Sequence, residues 1–290
     1  HYLDEERNER LNEFYGDIVS RYTLKQAITD KVLTPYVYYP HIVEFTEAEA
    51  DEFVDLSEQI GRIMARQNGK ASEMSPQLTG LLMRRARLVG SAANKLPTLQ
   101  AVLTGEKPTN HTLFYCGDGT VETDEEQSGA QDSVSLGRRQ VEAVSAMLHG
   151  MSWDVSRFTS RESRKDRDNI LENFRLGIID AMVAIRCLDE GIDVPACSTA
   201  YMLASSRDPR QFVQRRGRIL RRSPGKERAL IHDFIVVLPE GYETGSDYAK
   251  RLIKSELGRV AEFSSLSENR SEAYHTLAPV LRTYDLEHLV

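Results

Sequence analysis

The sequence predicts an α/β fold in which helices cover both faces of a mostly parallel sheet. From residue 109 to residue 237, short strand-like segments alternate with helical ones, which is typical of β-α-β units. Segments such as Leu113-Phe114-Tyr115 are apolar throughout, as expected of strands buried on both faces. Of the 290 residues, 40% are hydrophobic, which is enough for a substantial core. We expect ligands at the carboxyl ends of the strands, where such sheets bind them.

The first third of the chain is predicted to be mostly helical. A polar helix at residues 3–15 and a short one at residues 22–28 come first, before Thr34-Pro35 ends helical geometry. Residues 35–45 are rich in β-branched and aromatic side chains, which predicts a strand. Thr46 and Glu49 then form the capping-box pattern that begins a helix. Helices are expected at residues 47–67, 78–89 and 94–103.

The alternating region supplies the rest of the sheet. Its predicted strands are residues 111–116, 153–158, 180–185, 199–203 and 228–236. Its predicted helices are residues 135–149, residues 163–174 and a segment that carries residues 211–216. Two further helices, at residues 246–263 and 267–282, look like an appended C-terminal arm.

An acidic insertion interrupts the alternation. Residues 117–132 contain six acids and no base, and a polar run rich in Gly and Ser is typical of a loop. We therefore predict an acidic loop at residues 117–134. The alternative interpretation is a cluster of acids of the kind that nucleases use.

Composition argues against several classes of protein. No apolar run approaches the roughly 18 residues of a membrane span, and the N-terminus does not resemble a signal peptide. The three cysteines lie far apart without a Cys-x-x-Cys pair, and the histidines show no ligand spacing. We therefore expect no metal site, no disulfide framework and a reducing, cytoplasmic compartment. Because the chain does not begin with Met, we expect it to be part of a longer protein.

A strongly basic segment stands out in a chain whose net charge is −7. Residues 207–228 contain nine Lys or Arg and two acids, a local charge of 9 − 2 = +7. Arginine guanidinium groups match phosphate oxygens bidentately, so polyphosphate is the expected counterion. Arg218 and Arg221 are three residues apart and leave one face of a helix or turn, while Gly217 lets a ligand approach closely. The alternative is a solvated basic helix face.

Three stretches resemble the motifs of superfamily 2 helicases. Gln214-Arg215-Arg216-Gly217-Arg218-Ile219-Leu220-Arg221 is similar to motif VI, whose pattern is Gln-x-x-Gly-Arg-x-x-Arg. Residues 184–195, which include Glu190-Gly191-Ile192-Asp193-Val194-Pro195, resemble motif V. Residues 111–117 resemble motif IV, and Arg157-Phe158-Thr159-Ser160 is similar to the strand end that follows it. The prokaryotic relatives of the xeroderma pigmentosum group B repair helicase and the restriction-type DEAD/DEAH-like helicases are the most similar in pattern.

The resemblance implies the second RecA-like domain of a DNA helicase or translocase and a role for each matching residue. Arg218 and Arg221 would be the catalytic arginines that reach the γ-phosphate of ATP. The residues expected beside the nucleotide are Gln214, Gly191 and Asp193. The residues expected at the nucleic-acid backbone are Gly117, Thr159, Ile185 and Arg186. We expect both arginines to face an open cleft beside the loops that follow the strands.

The ATP-binding half of such an enzyme is not recognisable in the chain. Gly69-Lys70 lacks the first glycine and the hydroxyl of a Walker A loop, and Asp124-Glu125-Glu126-Gln127 lies in the acidic loop. The resemblance therefore implies that an N-terminal RecA-like domain of the same protein binds ATP and Mg²⁺. We expect this chain alone to be inactive, with DNA as the nucleic-acid partner and a role in repair or restriction.

The same resemblance divides the chain into three parts. Residues 1–34 would be the helical tail of the preceding domain, and residues 35–240 the second RecA-like domain, with a helical segment at residues 46–104. Residues 241–290 would be a C-terminal helical arm. Two alternatives remain: a non-catalytic adaptor that binds nucleic acid or protein, and a subunit of a restriction or repair complex.

Overall fold

The computed structural model describes most of the chain. It covers residues 22–66, 75–117, 130–159, 161–185, 197–203, 217–242, 257–258, 260–261 and 263–289. The predicted helix at residues 3–15, Gly69-Lys70 and the acidic residues 118–129 lie outside these ranges.

The described strands form one six-stranded sheet in which every pairing is parallel. The strand order is β1-β6-β5-β2-β4-β3. The strands are β1 (Tyr36–Glu44), β2 (Thr112–Cys116), β3 (Val155–Phe158), β4 (Ala181–Ile185), β5 (Thr199–Met202) and β6 (Ala229–Val237). This sheet confirms the predicted α/β class and agrees with the RecA-like fold.

The helices follow the sequence prediction closely. They are α1 (Leu24–Thr29), α2 (Glu47–Arg66), α3 (Pro76–Gly90), α4 (Lys95–Leu103), α5 (Ala130–Gly150), α6 (Arg164–Leu176) and α7 (Arg270–Thr283). The capping box at the start of α2 is formed, because the Thr46 hydroxyl accepts from the Glu49 N–H at 3.3 Å and the Glu49 carboxylate accepts from the Thr46 N–H at 3.0 Å.

Both faces of the sheet are covered. Every residue of β2 and β5 is buried, so neither face of these strands contacts solvent. From β1 to β3 the chain moves towards one edge, and from β3 to β6 it moves back. Since parallel crossovers are right-handed, the helices before β3 and those after it lie on opposite faces. The sheet is therefore doubly wound, as the sequence predicts.

Helix α5 begins earlier than predicted. The sequence suggested a loop through residue 134 and a helix from residue 135, whereas α5 starts at Ala130. Alanine, at the first position of this helix, has the highest helix propensity. The predicted acidic loop is therefore shorter than residues 117–134.

The C-terminal helix α7 packs against the main core. Leu277 and Leu281 of α7 are fully buried in the same hydrophobic cluster as the strands. The Asn269 side chain accepts from the Tyr38 N–H at 2.8 Å and donates to the Tyr38 carbonyl at 2.9 Å. Because β1 is an edge strand, this amide covers backbone groups that a neighbouring strand would otherwise take.

A row of aromatic rings crosses four strands on one face of the sheet. Tyr39 stacks on His232 at 4.8 Å between ring centroids, His232 on Tyr201 at 4.4 Å, and Tyr201 on Phe114 at 4.8 Å. Burial and, to a smaller extent, the neighbouring His41 together lower the pKa of His232 to about 3. Nδ1 of His232 lies 3.0 Å from Nε2 of His41, so the two rings share one proton in a hydrogen bond.

Two of the three cysteines lie within the described residues, and both are free. Cys116 and Cys197 are fully buried, and burial raises the pKa of each thiol to about 12. Cys187 lies outside the described residues.

Candidate nucleic-acid and nucleotide sites

Three of the predicted nucleic-acid contacts lie together at the carboxyl edge of the sheet. Gly117 follows β2, Thr159 follows β3 and Ile185 ends β4. Cys116 is in register with Ile185, and Phe158 with Ala184, so the three strands end at the same level. The structure therefore brings these three residues to one surface, as the parallel sheet predicts. Arg186, the fourth predicted contact, lies outside the described residues.

Gly117 is held by a hydrogen-bond relay that the sequence did not reveal. Its N–H donates to Oε1 of Gln140 at 3.1 Å, and Nε2 of Gln140 donates to the carbonyl of Gly90 at 3.0 Å. The fully buried Lys95 ammonium donates to the same carbonyl at 3.2 Å and to the carbonyl of Leu203, just after β5, at 2.6 Å. This relay ties the ends of β2 and β5 to the carboxyl end of α3.

A cavity of about 260 Å³ opens beside this relay. It lies between the α3–α4 turn, α5 and the end of β5, and Lys95, Gln140 and Leu203 line it. Most of its remaining wall is alanine, leucine and valine. The cavity therefore adjoins the predicted backbone contact at Gly117.

The donors of Thr159 are occupied by a carboxylate. Both the N–H and the hydroxyl of Thr159 donate to Oε2 of Glu162, each at 2.7 Å. Thr159 Oγ1 in turn accepts from the Arg161 N–H at 3.2 Å. A carboxylate and a phosphate bind the same kind of donor pair, so a phosphate at Thr159 has to replace Glu162.

Arg218 and Arg221 lie at the opposite, amino-terminal edge of the sheet. The Thr34 N–H donates to the carbonyl of Leu220 at 2.7 Å, and Leu33 pairs with Arg221 in an isolated antiparallel bridge. Since Leu33 and Thr34 immediately precede β1, the turn that carries both arginines is beside the start of this strand.

The prediction that these arginines lie beside the strand-end loops is therefore wrong. A connection between parallel strands has to return from the carboxyl end of β5 to the amino end of β6. Because Arg218 and Arg221 come late in that connection, they reach the amino-terminal edge. The structure thus separates them from Gly117, Thr159 and Ile185.

The turn that carries both arginines is firmly anchored. The side chains of Ile219 and Leu220 are buried in the core, so the direction of the flanking arginines is constrained. Arg221 is exposed, while Arg218 is partly buried. Among the described residues, Nη1 of Arg218 is buried without a hydrogen-bond partner. An unsatisfied buried donor is costly, and such groups in native structures often mark functional positions.

The Lys226 side chain also contacts the turn that carries both arginines. Its ammonium donates to the carbonyl of Ile219 and, at 3.0 Å, to the carbonyl of Arg221. Burial lowers the pKa of Lys226, against a smaller opposing effect of the Cys197 thiol. Next to the turn, Nη1 of Arg222 donates to the carbonyl of Lys31 at 3.1 Å.

The predicted nucleotide contacts Gln214, Gly191 and Asp193 lie outside the described residues, so their positions remain predictions. Sequence patterns did not single out Lys95, Gln140, Glu162 or Lys226. Each of these acts on main chain or on a neighbouring side chain, and no motif spacing marks such contacts. The one available signal was the Thr159-x-x-Glu162 capping pattern.

The described residues include neither a cluster of metal ligands nor a membrane-spanning helix. Where the structure describes the chain, no three His, Cys, Asp or Glu side chains are grouped as metal ligands. None of the described helices has both the length and the apolar character needed to cross a bilayer.

Comparison with known proteins identifies part of the chain. Residues 130–223 match the family model described as "Helicase conserved C-terminal domain". Dicer-like protein 2-2 of Aspergillus niger is 30% identical over 109 residues, 38% of this chain and 7% of that protein. The DNA 3'-5' translocase XPB2 of Sulfurisphaera tokodaii is 41% identical over 73 residues, 25% of this chain and 16% of that protein. The chain thus spans only a small part of these relatives.

Solved structures that are similar to this chain include part of an ATPase domain and a helicase domain. The C-terminal part of the Fun30 ATPase domain is 10% identical with a TM-score of 0.43, over 80% of this chain and 99% of that one. The Pyrococcus furiosus Hef helicase domain is 13% identical with a TM-score of 0.42, over 81% of this chain and 62% of that one.

The family match covers α5 to the arginine turn and includes the Gln-x-x-Gly-Arg-x-x-Arg pattern at residues 214–221. It also includes the strand ends that carry Thr159 and Ile185. Residues 130–223 therefore match the helicase conserved C-terminal domain, in agreement with the helicase resemblance of the sequence.

Proposed function

We propose that this chain is the C-terminal half of an ATP-dependent superfamily 2 DNA helicase or translocase. In this proposal Arg218 and Arg221 complete an ATP·Mg²⁺ site on an N-terminal RecA-like domain of the same protein. Gly117, Thr159 and Ile185 contact the phosphates of the nucleic-acid strand at the other edge of the sheet. Such contacts carry no sequence information.

The observation that carries the proposal is the contact between the arginine turn and the segment that leads into β1. Leu33 pairs with Arg221, and the carbonyl of Lys31 accepts from Arg222. An N-terminal domain that leads into this segment would therefore be tethered beside the two guanidinium groups.

The two edges of the sheet suit two different tasks. The arginine edge would sense the γ-phosphate, on which negative charge is redistributed during transfer, and arginines in this role contribute roughly 10³- to 10⁵-fold in rate. The carboxyl edge would hold the strand. Closing of the two domains on ATP and their opening after hydrolysis would then move the strand stepwise.

The proposal is tested with Arg218→Ala and Arg221→Ala in the protein that carries this chain together with its ATP-binding domain. We expect kcat for ATP hydrolysis to fall by about 100-fold or more in each variant, with little change in the affinity for single-stranded DNA. Arg62→Ala, at an exposed arginine of α2, is the matched control and leaves both quantities unchanged.

Two results would contradict this function. Equal loss of hydrolysis and DNA affinity in the arginine variants would indicate a nucleic-acid-binding role for the basic segment. ATP turnover by the 290-residue chain alone, abolished by Arg218→Ala, would show that no second domain is needed. Single-stranded RNA of the same length, run beside the DNA, distinguishes the two nucleic acids.

A further inference from the structure

We propose that Lys226 is a positioning residue that holds Arg218 and Arg221 in the geometry in which they meet ATP. The inference rests on the proposed function of these two arginines. It assigns a role to a side chain that lies outside the motif pattern and does not itself face the nucleotide.

The first observation is where the Lys226 ammonium donates its hydrogen bonds. Its acceptors are the carbonyls of Ile219 and Arg221, at the end of the helical turn that includes residues 217–219. The last carbonyls of a helix have no partner within the helix, and a lysine side chain can satisfy them. Lys226 therefore binds the main chain on either side of Leu220. One acceptor belongs to the residue that follows Arg218, and the other belongs to Arg221 itself.

The second observation is that Lys226 is itself fixed by a tight turn. Its N–H donates to the carbonyl of Ser223 at 3.1 Å, and Gly225 has a φ of +79°, a conformation that favours glycine. The lysine stem is largely buried, and this burial lowers the pKa of the ammonium. A buried cation with two carbonyl acceptors has few alternative positions.

The third observation is how the rest of the turn is held, which includes the bridge between Leu33 and Arg221. The Thr34 N–H binds the carbonyl of Leu220, and the Ile219 and Leu220 side chains fix the start of the turn. Within the turn, the Arg221 N–H reaches the Arg218 carbonyl only at 3.3 Å. The Lys226 ammonium adds a hydrogen bond to the carbonyl on each side of Leu220.

Loss of the Lys226 hydrogen bonds is expected to lower kcat more than it weakens the binding of ATP. Lys226 donates to main-chain oxygens, so it affects chemistry only through the arginines that these residues carry. A displacement of about 1 Å at a catalytic group can cost roughly 100-fold in rate. A purely structural cap would instead lower stability and leave the surviving folded enzyme with its normal kcat.

The experiment is a double-mutant cycle in the protein that carries this chain and its ATP-binding domain. Lys226→Met keeps the length of the side chain and removes the charge and the donors. It is combined with Arg221→Ala, and kcat and KM for ATP are measured for the parent, both single variants and the double variant. Lys107→Met, at an exposed lysine, is the matched control, and thermal unfolding is followed for every variant.

We expect Lys226→Met to lower kcat by about 10-fold or more, with KM for ATP changed less than about 3-fold. In the Arg221→Ala background the same change lowers kcat by less than about 3-fold, because the group through which it acts is already gone. Lys226→Arg, which keeps a charged donor, recovers part of kcat.

Three results would overturn the inference. A normal kcat in folded Lys226→Met would show a structural cap only, and equal losses in both backgrounds would show an effect independent of Arg221. If Lys226→Met does not fold, Lys226→Gln takes its place, and a normal kcat in that variant has the same meaning. Should Arg218→Ala and Arg221→Ala both hydrolyse ATP normally, the proposed function itself fails and the inference with it.

Discussion

At the scale of single residues, the proposed interface with nucleic acid depends on which group occupies the donors of Thr159. Glu162 accepts from both its N–H and its hydroxyl at 2.7 Å. Charge-assisted hydrogen bonds of this length are strong, so the carboxylate competes with any phosphate that approaches. A nucleic-acid strand that binds at Thr159 would therefore have to displace the Glu162 carboxylate.

Glu162→Gln is expected to tighten the binding of single-stranded DNA to this chain several-fold. The substitution removes a negative charge at the site and weakens the competing hydrogen bonds. Affinity is measured with a fluorescent oligonucleotide at two salt concentrations. Glu142→Gln, at an exposed position of α5, removes the same charge elsewhere and is the control. Equal affinity in all three proteins would show that phosphates do not bind at Thr159.

Sequence reasoning reached the site only where a motif marks it. A match to a family pattern is the reason for predicting Arg218, Arg221, Gly117, Thr159 and Ile185. Lys95, Gln140 and Lys226 could not be found in this way, since each binds carbonyls or amides that are distant in sequence or made available by a turn. A buried lysine that donates to main chain has no signature in composition or spacing.

At the scale of single elements, the edge strand β1 depends on the C-terminal segment. The amide of Asn269 donates to the carbonyl of Tyr38 and accepts from its N–H, and the Glu268 N–H donates to the carbonyl of Tyr36 at 2.9 Å. The Tyr36 ring also stacks on Phe263, at 4.5 Å between centroids. These contacts cover part of the open edge of β1.

Asn269→Ala is expected to lower the free energy of unfolding by about 1–3 kcal/mol, because two backbone groups of Tyr38 lose their partner. Asn269→Asp keeps the acceptor for the Tyr38 N–H and loses the donor, so it should lie between Ala and the parent. Urea denaturation of the three chains gives the order. An unchanged midpoint in Asn269→Ala would contradict the role of this amide.

The elements themselves were largely predictable from local signals. Thr46 and Glu49 marked the start of α2, and continuous apolar runs marked the buried strands. The prediction that failed concerned information that is not local, namely where the arginine turn lies relative to the sheet. A strand or helix can be read from its own residues, whereas its neighbours are set by the order in which strands join the sheet.

At the scale of the whole molecule, the aromatic row couples stability to pH. Burial lowers the pKa of His232 to about 3, and it also lowers the pKa of His41. Each imidazole therefore binds a proton more readily in the unfolded chain than in the folded one. Stability from these groups is present above the unfolded pKa, near 6.5, and is lost as the pH falls below it.

We expect the free energy of unfolding to fall between about pH 6.5 and pH 4, with a contribution from His232 of up to about 1.4 kcal/mol per pH unit. His232→Phe keeps a ring in the row and removes this titration, so its stability falls less steeply with pH. Urea unfolding at pH 7, 6 and 5 measures both curves. Parallel curves for the parent and the variant would contradict the assignment.

The pairing of β1 with β6 has a consequence for synthesis. Tyr36 is in register with Ala229, so the partner of the first described strand is the last described strand to be made. Contacts this distant in sequence slow folding, and strands that wait for a partner are prone to aggregate. While the ribosome makes the intervening residues, an aromatic strand stays open at both edges. We expect the emerging polypeptide to need protection until residues 229–237 have left the exit tunnel.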